Sequence, residues 1–282
     1  HRGFDAANPG SIVVGTYNGG SAITKIYIST DRGKHWKTEF FPATAGSEVE
    51  IVSDSLVFIS SARQIYRTDI NCKVFNPVGP EFTNSIREIK VAPNGNIMVG
   101  TNRDLQLSTD NGQTWTVKLN TPSASFSCIN IFSDGTGFTL SNDLYRTTDF
   151  GNSWTPVGVS GFTPKHSGFY DGNNGFVVGS NQKLYRTRNA GVTFEEVNFP
   201  GLTKATYIFC FDSLSYYLSG NELFSTYDGG LWWKNNEIVE LNGNPFYNIY
   251  MFDHFDGVAL TSGGIPGIWA THNRGNTPVE LS

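Results

Sequence analysis

The chain has 282 residues, with 20 basic and 25 acidic side chains and a formal net charge of −5. Charged residues are only 16% and aromatics reach 14%, a balance that excludes a nucleic-acid binder working by bulk positive charge. The 38% hydrophobic share argues against disorder, and no apolar run approaches the ~20 residues of a membrane helix.

Few stretches are rich in Ala, Glu or Lys, so helices are expected to be scarce. Cys72, Cys128 and Cys210 are far apart, without a C-x-x-C and odd in number. That is neither a disulfide framework nor a zinc spacing. The chain opens at His1, without Met or signal peptide, which reads as a processed, trimmed or tag-derived start.

In chain order, one unit recurs. An apolar segment near Phe4 precedes the turn signal Asn8-Pro9-Gly10, the strand I-V-V-G-T at 12–16 and the octet S-T-D-R-G-K-H-W at 29–36. A faint octet, R-T-D-I-N-C-K-V, follows at 67–74, after the turn Asp54-Ser55. Next come Asn94-Gly95, I-M-V-G-T at 97–101 and S-T-D-N-G-Q-T-W at 108–115. Asp134-Gly135 then leads to T-T-D-F-G-N-S-W at 147–154. Degenerate copies close the series: T-R-N-A-G-V-T-F at 187–194, S-T-Y-D-G-G-L-W at 225–232 and T-H-N-R-G-N-T-P at 271–278.

The positions equivalent to the octet Asp are Asp31, Asp69, Asp110, Asp149, Asn189, Tyr227 and Asn273. Their period of about 40 residues is that of a propeller blade. Asn-Gly and Asp-Gly between apolar runs are hairpin signals, so each unit reads as strand A, turn, strand B, turn, strand C, octet, strand D. Four strands seven times predict an all-β, seven-bladed β-propeller occupying residues 1–282 as a single domain.

The octet S/T-x-D-x-G-x-x-W resembles the Asp-box, or BNR repeat. The resemblance spans the chain in seven copies and implies a turn between the third and fourth strands of each blade. The physics suits that role. Hydroxyl and carboxylate accept turn N–H groups, Gly allows positive φ, and Trp36, Trp115 and Trp154 cover their turns and are expected to be largely buried. The box carboxylates therefore read as structural.

No catalytic set is legible. The sialidases of this repeat class imply an Arg-Ile-Pro, three convergent arginines and six blades. No Arg-Ile-Pro occurs, and Arg67, Arg146 and Arg186 share one register of strand C. A xyloglucanase-like glycosidase would set two carboxylates across a cleft, and that family implies a second propeller. The loop carboxylates Glu48, Glu50, Glu81, Asp104, Asp143 and Glu222 single out no pair. The turn Asp253-His254-Phe255-Asp256 reads as a solvated turn, and no metal site or cofactor is expected.

The functional reading is a non-catalytic recognition or scaffold module for a protein or glycan partner, without nucleic acid or a membrane span. The B–C and D–A loops form the expected docking rim. Phe162, His166, Tyr207, Phe246 and Tyr247 stand there as a candidate aromatic platform. The alternatives are a glycoside hydrolase and a chaperone like the photosystem II assembly factors, single seven-bladed members of the repeat class. Low Lys with high Thr, Asn, Ser and Gly suggests an extracellular, cell-surface or periplasmic setting. A place within a larger multidomain chain fits as well.

Overall fold

The computed structural model describes residues 4–7, 10–16, 24–43, 48–121, 124–220, 222–236, 246–261, 268–274 and 279–280. The strands form seven sheets, each of four consecutive antiparallel strands. The fold is an all-β, seven-bladed propeller, and the described residues contain no helix. Two compact units divide the chain, His1–Thr155 and Pro156–Ser282.

The sheets form because each second strand is dominated by apolar residues. Ile97–Thr101, Gly175–Gly179 and Tyr216–Gly220 are buried at every position. A strand covered on both faces loses the apolar–polar alternation. Fourth strands are wetter, as in the half-exposed Thr116–Asn120. Sequential pairing carries the register, with Asp5 opposite Val13, Val13 opposite Ile28, and Ile28 opposite Lys37 in blade 1.

The core lies between neighbouring blades. Val13, Ile26 and Ile28 of blade 1 pack on Val49, Ile51, Val57 and Ile59 of blade 2, with the free thiol of Cys72 among them. In the second unit, Phe176, Val178 and Leu184 meet Ile208, Tyr216 and Leu218. Burying each such side chain contributes about 1.5–3 kcal/mol.

Within each unit the first strands of successive blades pack on one another. In blades 4 to 7 that strand carries a register shift, at Ser127/Asn130, Pro164/His166, Ala205/Tyr207 and Phe246/Asn248. The extra residue re-aims the side chain that follows it. Arg67, Arg146 and Arg186 do share one register: each lies opposite a phenylalanine of the second strand, Phe58, Phe138 and Phe176.

Candidate functional site

The box turns are built alike. In blade 3, Ser108 Oγ donates to Asp110 Oδ1 at 2.7 Å and accepts the Gly112 N–H at 2.8 Å. Asp110 Oδ1 also accepts the Thr114 N–H at 2.9 Å, and Oδ2 accepts its hydroxyl at 2.6 Å. Asn111 and Gly112 take φ of 58° and 83°, the left-handed pair that the turn requires. The Thr114 bonds hold the Asp110 carboxyl down at about 2. Blades 1 and 4 repeat the arrangement around Asp31 and Asp149.

In every blade but the third, the box is tied to the first turn of its own blade. The N–H after the box acid donates to a carbonyl there: Arg32 to Gly10, Phe150 to Gly135 and Ala190 to Asn173, at 2.8 to 3.0 Å. Both turns therefore lie at one end of the blade. Asn189 keeps the geometry, with its Oδ1 accepting the Thr187 hydroxyl at 3.1 Å and the Thr193 N–H at 2.9 Å. Asn273 accepts the Thr271 hydroxyl at 3.1 Å.

Two boxes depart from the sequence reading. In blade 6 the acceptor is Asp228, and Tyr227 is displaced from that role. Thr226 Oγ1 donates to Asp228 Oδ1 at 2.8 Å and accepts the Gly230 N–H at 3.2 Å. The box is thus 226–233, one residue later, and it ends on buried Trp233 with Trp232 exposed. Tyr227 instead sends its hydroxyl to the Arg274 carbonyl at 3.0 Å. In blade 2, Arg67 replaces the hydroxyl residue. Asp69 caps the Asn71 N–H at 2.9 Å, and the positive φ moves to Cys72.

The box tryptophans also differ. Trp154 is buried and donates to the Gly151 carbonyl at 3.1 Å. Trp36 and Trp115 are only half-buried. Trp36 bonds the Gly33 carbonyl at 2.9 Å. Trp115 leans on Phe82 of the connection between blades 2 and 3, ring centres 4.9 Å apart, beside Gly79, where an added Cβ would lie 2.1 Å from the Gly112 carbonyl oxygen.

The proposed aromatic platform is largely committed inside the second unit. Phe246 is buried against Trp269, because its ring fills the gap between blades 6 and 7. It cannot offer a free face. Phe162 stacks on Tyr185 with ring centres 3.7 Å apart and is half-buried. The side chain of Tyr247 lies outside the described residues.

His166 and Tyr207 do come together, rings 4.2 Å apart. The Tyr207 hydroxyl donates to Asn248 Oδ1 at 3.2 Å, and the Ile208 N–H points at His166 Nδ1 at 3.4 Å. His166, Tyr207 and Asn248 each follow the register shift of blades 5, 6 and 7. Sequence reasoning missed Asn248. The 41-residue steps between the three positions were the available signal.

The first unit holds a charged counterpart on its first strands. Asp5 Oδ2 accepts the Ile51 N–H at 2.6 Å, Glu50 Oε1 that of Val91 at 3.0 Å, and Glu88 Oε1 that of Ile129 at 2.8 Å. Lys90 Nζ meets Glu50 Oε2 at 3.0 Å. Burial pushes the Asp5 carboxyl up to about 7, helped by the Glu50 charge and opposed by Lys90. Burial likewise lifts Glu88 to about 8 and raises Glu48. For Lys90, burial alone acts downward, but the charges of Glu50 and Asp5 outweigh it and hold the ammonium upward. Asp5 and Lys90 were not singled out from sequence, because nothing local marks a charge that the fold will enclose.

Of the remaining loop carboxylates, Glu81 lies 3.9 Å from the Arg63 guanidinium, and the others bond neighbouring groups. Asp104 accepts Thr101 Oγ1 at 2.8 Å, Gln106 Nε2 at 3.0 Å and Asn84 Nδ2 at 2.6 Å. Asp143 caps the Leu144 N–H at 2.7 Å, and Glu222 is bonded by Asn235 Nδ2. Among the described residues, no three His, Cys, Asp or Glu side chains assemble as a metal site. Asp253 caps the N–H groups of Phe255 and Asp256 at 2.8 Å each.

Residues 106–117, which span the blade 3 box, match the BNR/Asp-box repeat family. The chain is a seven-bladed propeller that carries an Asp-box repeat in blade 3. No curated protein sequence matches it. The chain is similar in fold to YCF48 from Cyanidioschyzon merolae, at TM-score 0.75 and 15% identity over 97% of this chain and 95% of that one. YCF48 bound to D1 peptide aligns at TM-score 0.73 and 16% identity, covering 94% and 90%. The GH74 enzyme of Niastella koreensis aligns at TM-score 0.58 and 14% identity, covering 96% of this chain and 63% of the enzyme. Identities this low carry the fold alone.

Proposed function

We propose that residues 1–282 form one propeller domain that acts as a non-catalytic recognition module for a protein partner, in an extracellular, cell-surface or periplasmic setting. The observation that carries this reading is the disposition of its polar groups. The carboxylates of Asp104, Asp143 and Glu222 bond groups of their own blades, while large apolar side chains stand free in solvent. Leu231 is 77% and Trp232 64% exposed. Exposed apolar side chains grouped on a surface mark an interaction site. A YCF48 structure holding a peptide gives the reading a precedent in this fold.

The experiment pairs a hydrolase panel of sialosides and β-glucans with glycan and peptide arrays probed by the whole chain. Peptide binding without turnover is the expected result. Turnover lost on Asp104→Asn, Asp143→Asn or Glu222→Gln would select the glycosidase alternative. Glycan binding without peptide binding would move the partner class from protein to carbohydrate.

A further inference from the structure

The blade 6 box breaks a pattern that its neighbours keep. The residue four positions after the box acid is His35, Thr114, Ser153 or Thr193 in blades 1, 3, 4 and 5. In each case that side chain bonds the second atom of the box group: His35 Nδ1 meets Asp31 Oδ2 at 2.6 Å, Thr114 and Ser153 bond Asp110 and Asp149 Oδ2 at 2.6 Å, and Thr193 receives Asn189 Nδ2 at 2.9 Å. In blade 6 the position is Trp232, whose indole does not bond Asp228, and Leu231 precedes it. Asp228 Oδ1 accepts Thr226 Oγ1 and the N–H groups of Leu231 and Trp232 at 2.8 to 3.0 Å. No described group bonds Oδ2.

An exposed carboxylate oxygen is thus left beside two exposed apolar side chains. Leu214, 53% exposed, lies against the same turn, its carbonyl bonded to the Gly229 N–H at 3.0 Å. A Cβ on Gly229 would sit 3.8 Å from Leu214 Cδ2. Neither tryptophan nor leucine is needed by the turn itself, which Trp233 covers from its buried position.

We infer that Leu214, Asp228, Leu231 and Trp232 form a docking site for a partner-protein segment that carries a lysine or arginine next to an aliphatic or aromatic residue. This rests on the protein-recognition reading and moves its surface to the box end of blade 6. The charge complementarity is specific. Asp228 Oδ2 offers one ionic acceptor, and an exposed indole face attracts the same cation, while Leu231 and Leu214 offer contact area to its apolar neighbour. Exposed tryptophan is among the side chains that dominate binding energy at interfaces.

The test is a selection from a phage-displayed random dodecapeptide library on the whole chain, with affinities of the enriched peptides measured by fluorescence anisotropy. The expected sequences pair Lys or Arg with an apolar neighbour. Leu231→Ser with Trp232→Ser should weaken them at least about tenfold. Asp228→Asn should fold normally, since Asn189 holds the same turn in blade 5, and should remove the preference for a cation and its salt dependence. Peptides that bind the wild type and both variants equally would overturn the site and leave the recognition reading standing. A selection without enrichment would overturn both. Self-association that the serine variant abolishes, or binding to phosphatidylglycerol vesicles in place of peptides, would overturn the inferred occupant.

Discussion

Asp5, on the first strand of blade 1, accepts the main-chain N–H of Ile51, on the first strand of blade 2, at 2.6 Å. The same strap recurs from Glu50 to Val91 and from Glu88 to Ile129. A strand with a free edge carries N–H groups that need partners. Here the neighbouring blade's carboxylate supplies one, so the strap joins blades without a shared sheet.

Glu50→Ala is therefore expected to destabilise the chain by about 1–3 kcal/mol, because it leaves the Val91 N–H and the Lys90 ammonium without their acceptor. Glu50→Gln should cost less, since its amide oxygen can still take the N–H. Urea unfolding midpoints of the two variants check the order. Equal midpoints for wild type and Glu50→Ala would remove the strap from the account of stability.

Stability should fall as pH rises from about 4 to about 8. Asp5 is raised from 3.8 to about 7 and Glu88 from 4.5 to about 8. A carboxyl raised in the fold binds its proton more tightly there than when unfolded. Its contribution is full below the unfolded value and is lost as pH climbs through the folded one. Asp31 and Asp110, held at about 2, act in the opposite sense and withdraw stability only as pH drops from about 4 toward 2. Melting temperatures across this range should peak on the acid side, and Asp5→Asn with Glu88→Gln should flatten the decline.

The box register in blade 6 predicts that Asp228→Ala costs about 1–2 kcal/mol, through the unmet Thr226, Leu231 and Trp232 donors. Asp110→Asn should be mild, as Asn189 and Asn273 already serve in that position. Denaturation curves of the two variants separate a structural acceptor from one whose charge is required. Should Asp110→Asn cost more than Asp228→Ala, the charge itself would be the stabilising element.

Trp154→Ala should destabilise by about 3–5 kcal/mol, the usual range for a large buried aromatic. Trp115→Ala should cost distinctly less, because Trp115 is half-buried and its indole nitrogen has no hydrogen-bond partner. Calorimetry of the two variants tests the difference in covering role.

The blade count, the strand order and the box turns of blades 1, 3, 4 and 5 were legible in the chain. They are local: an octet, a turn signal and an apolar run recur at a fixed period, and each acts within about 40 residues. The blade 6 register was also legible but is read one residue early: T-Y-D-G-G-L-W-W at 226–233 meets every fixed position of the octet, whereas S-T-Y-D-G-G-L-W puts Tyr227 where the Asp belongs, and the bond from Thr226 to Asp228 follows the later frame. Aromatic residues at loop entries did not reveal their exposure. Phe246 and Phe162 are spent on packing between and within blades, whereas Trp232, inside a repeat that reads as structural, stands in solvent. Asp5, Glu50, Glu88 and Lys90 acquired their straps only when strands some 40 residues apart in sequence were brought side by side. Local pattern decides which turns and strands form. Burial and partner choice depend on neighbours that only the packed blades supply.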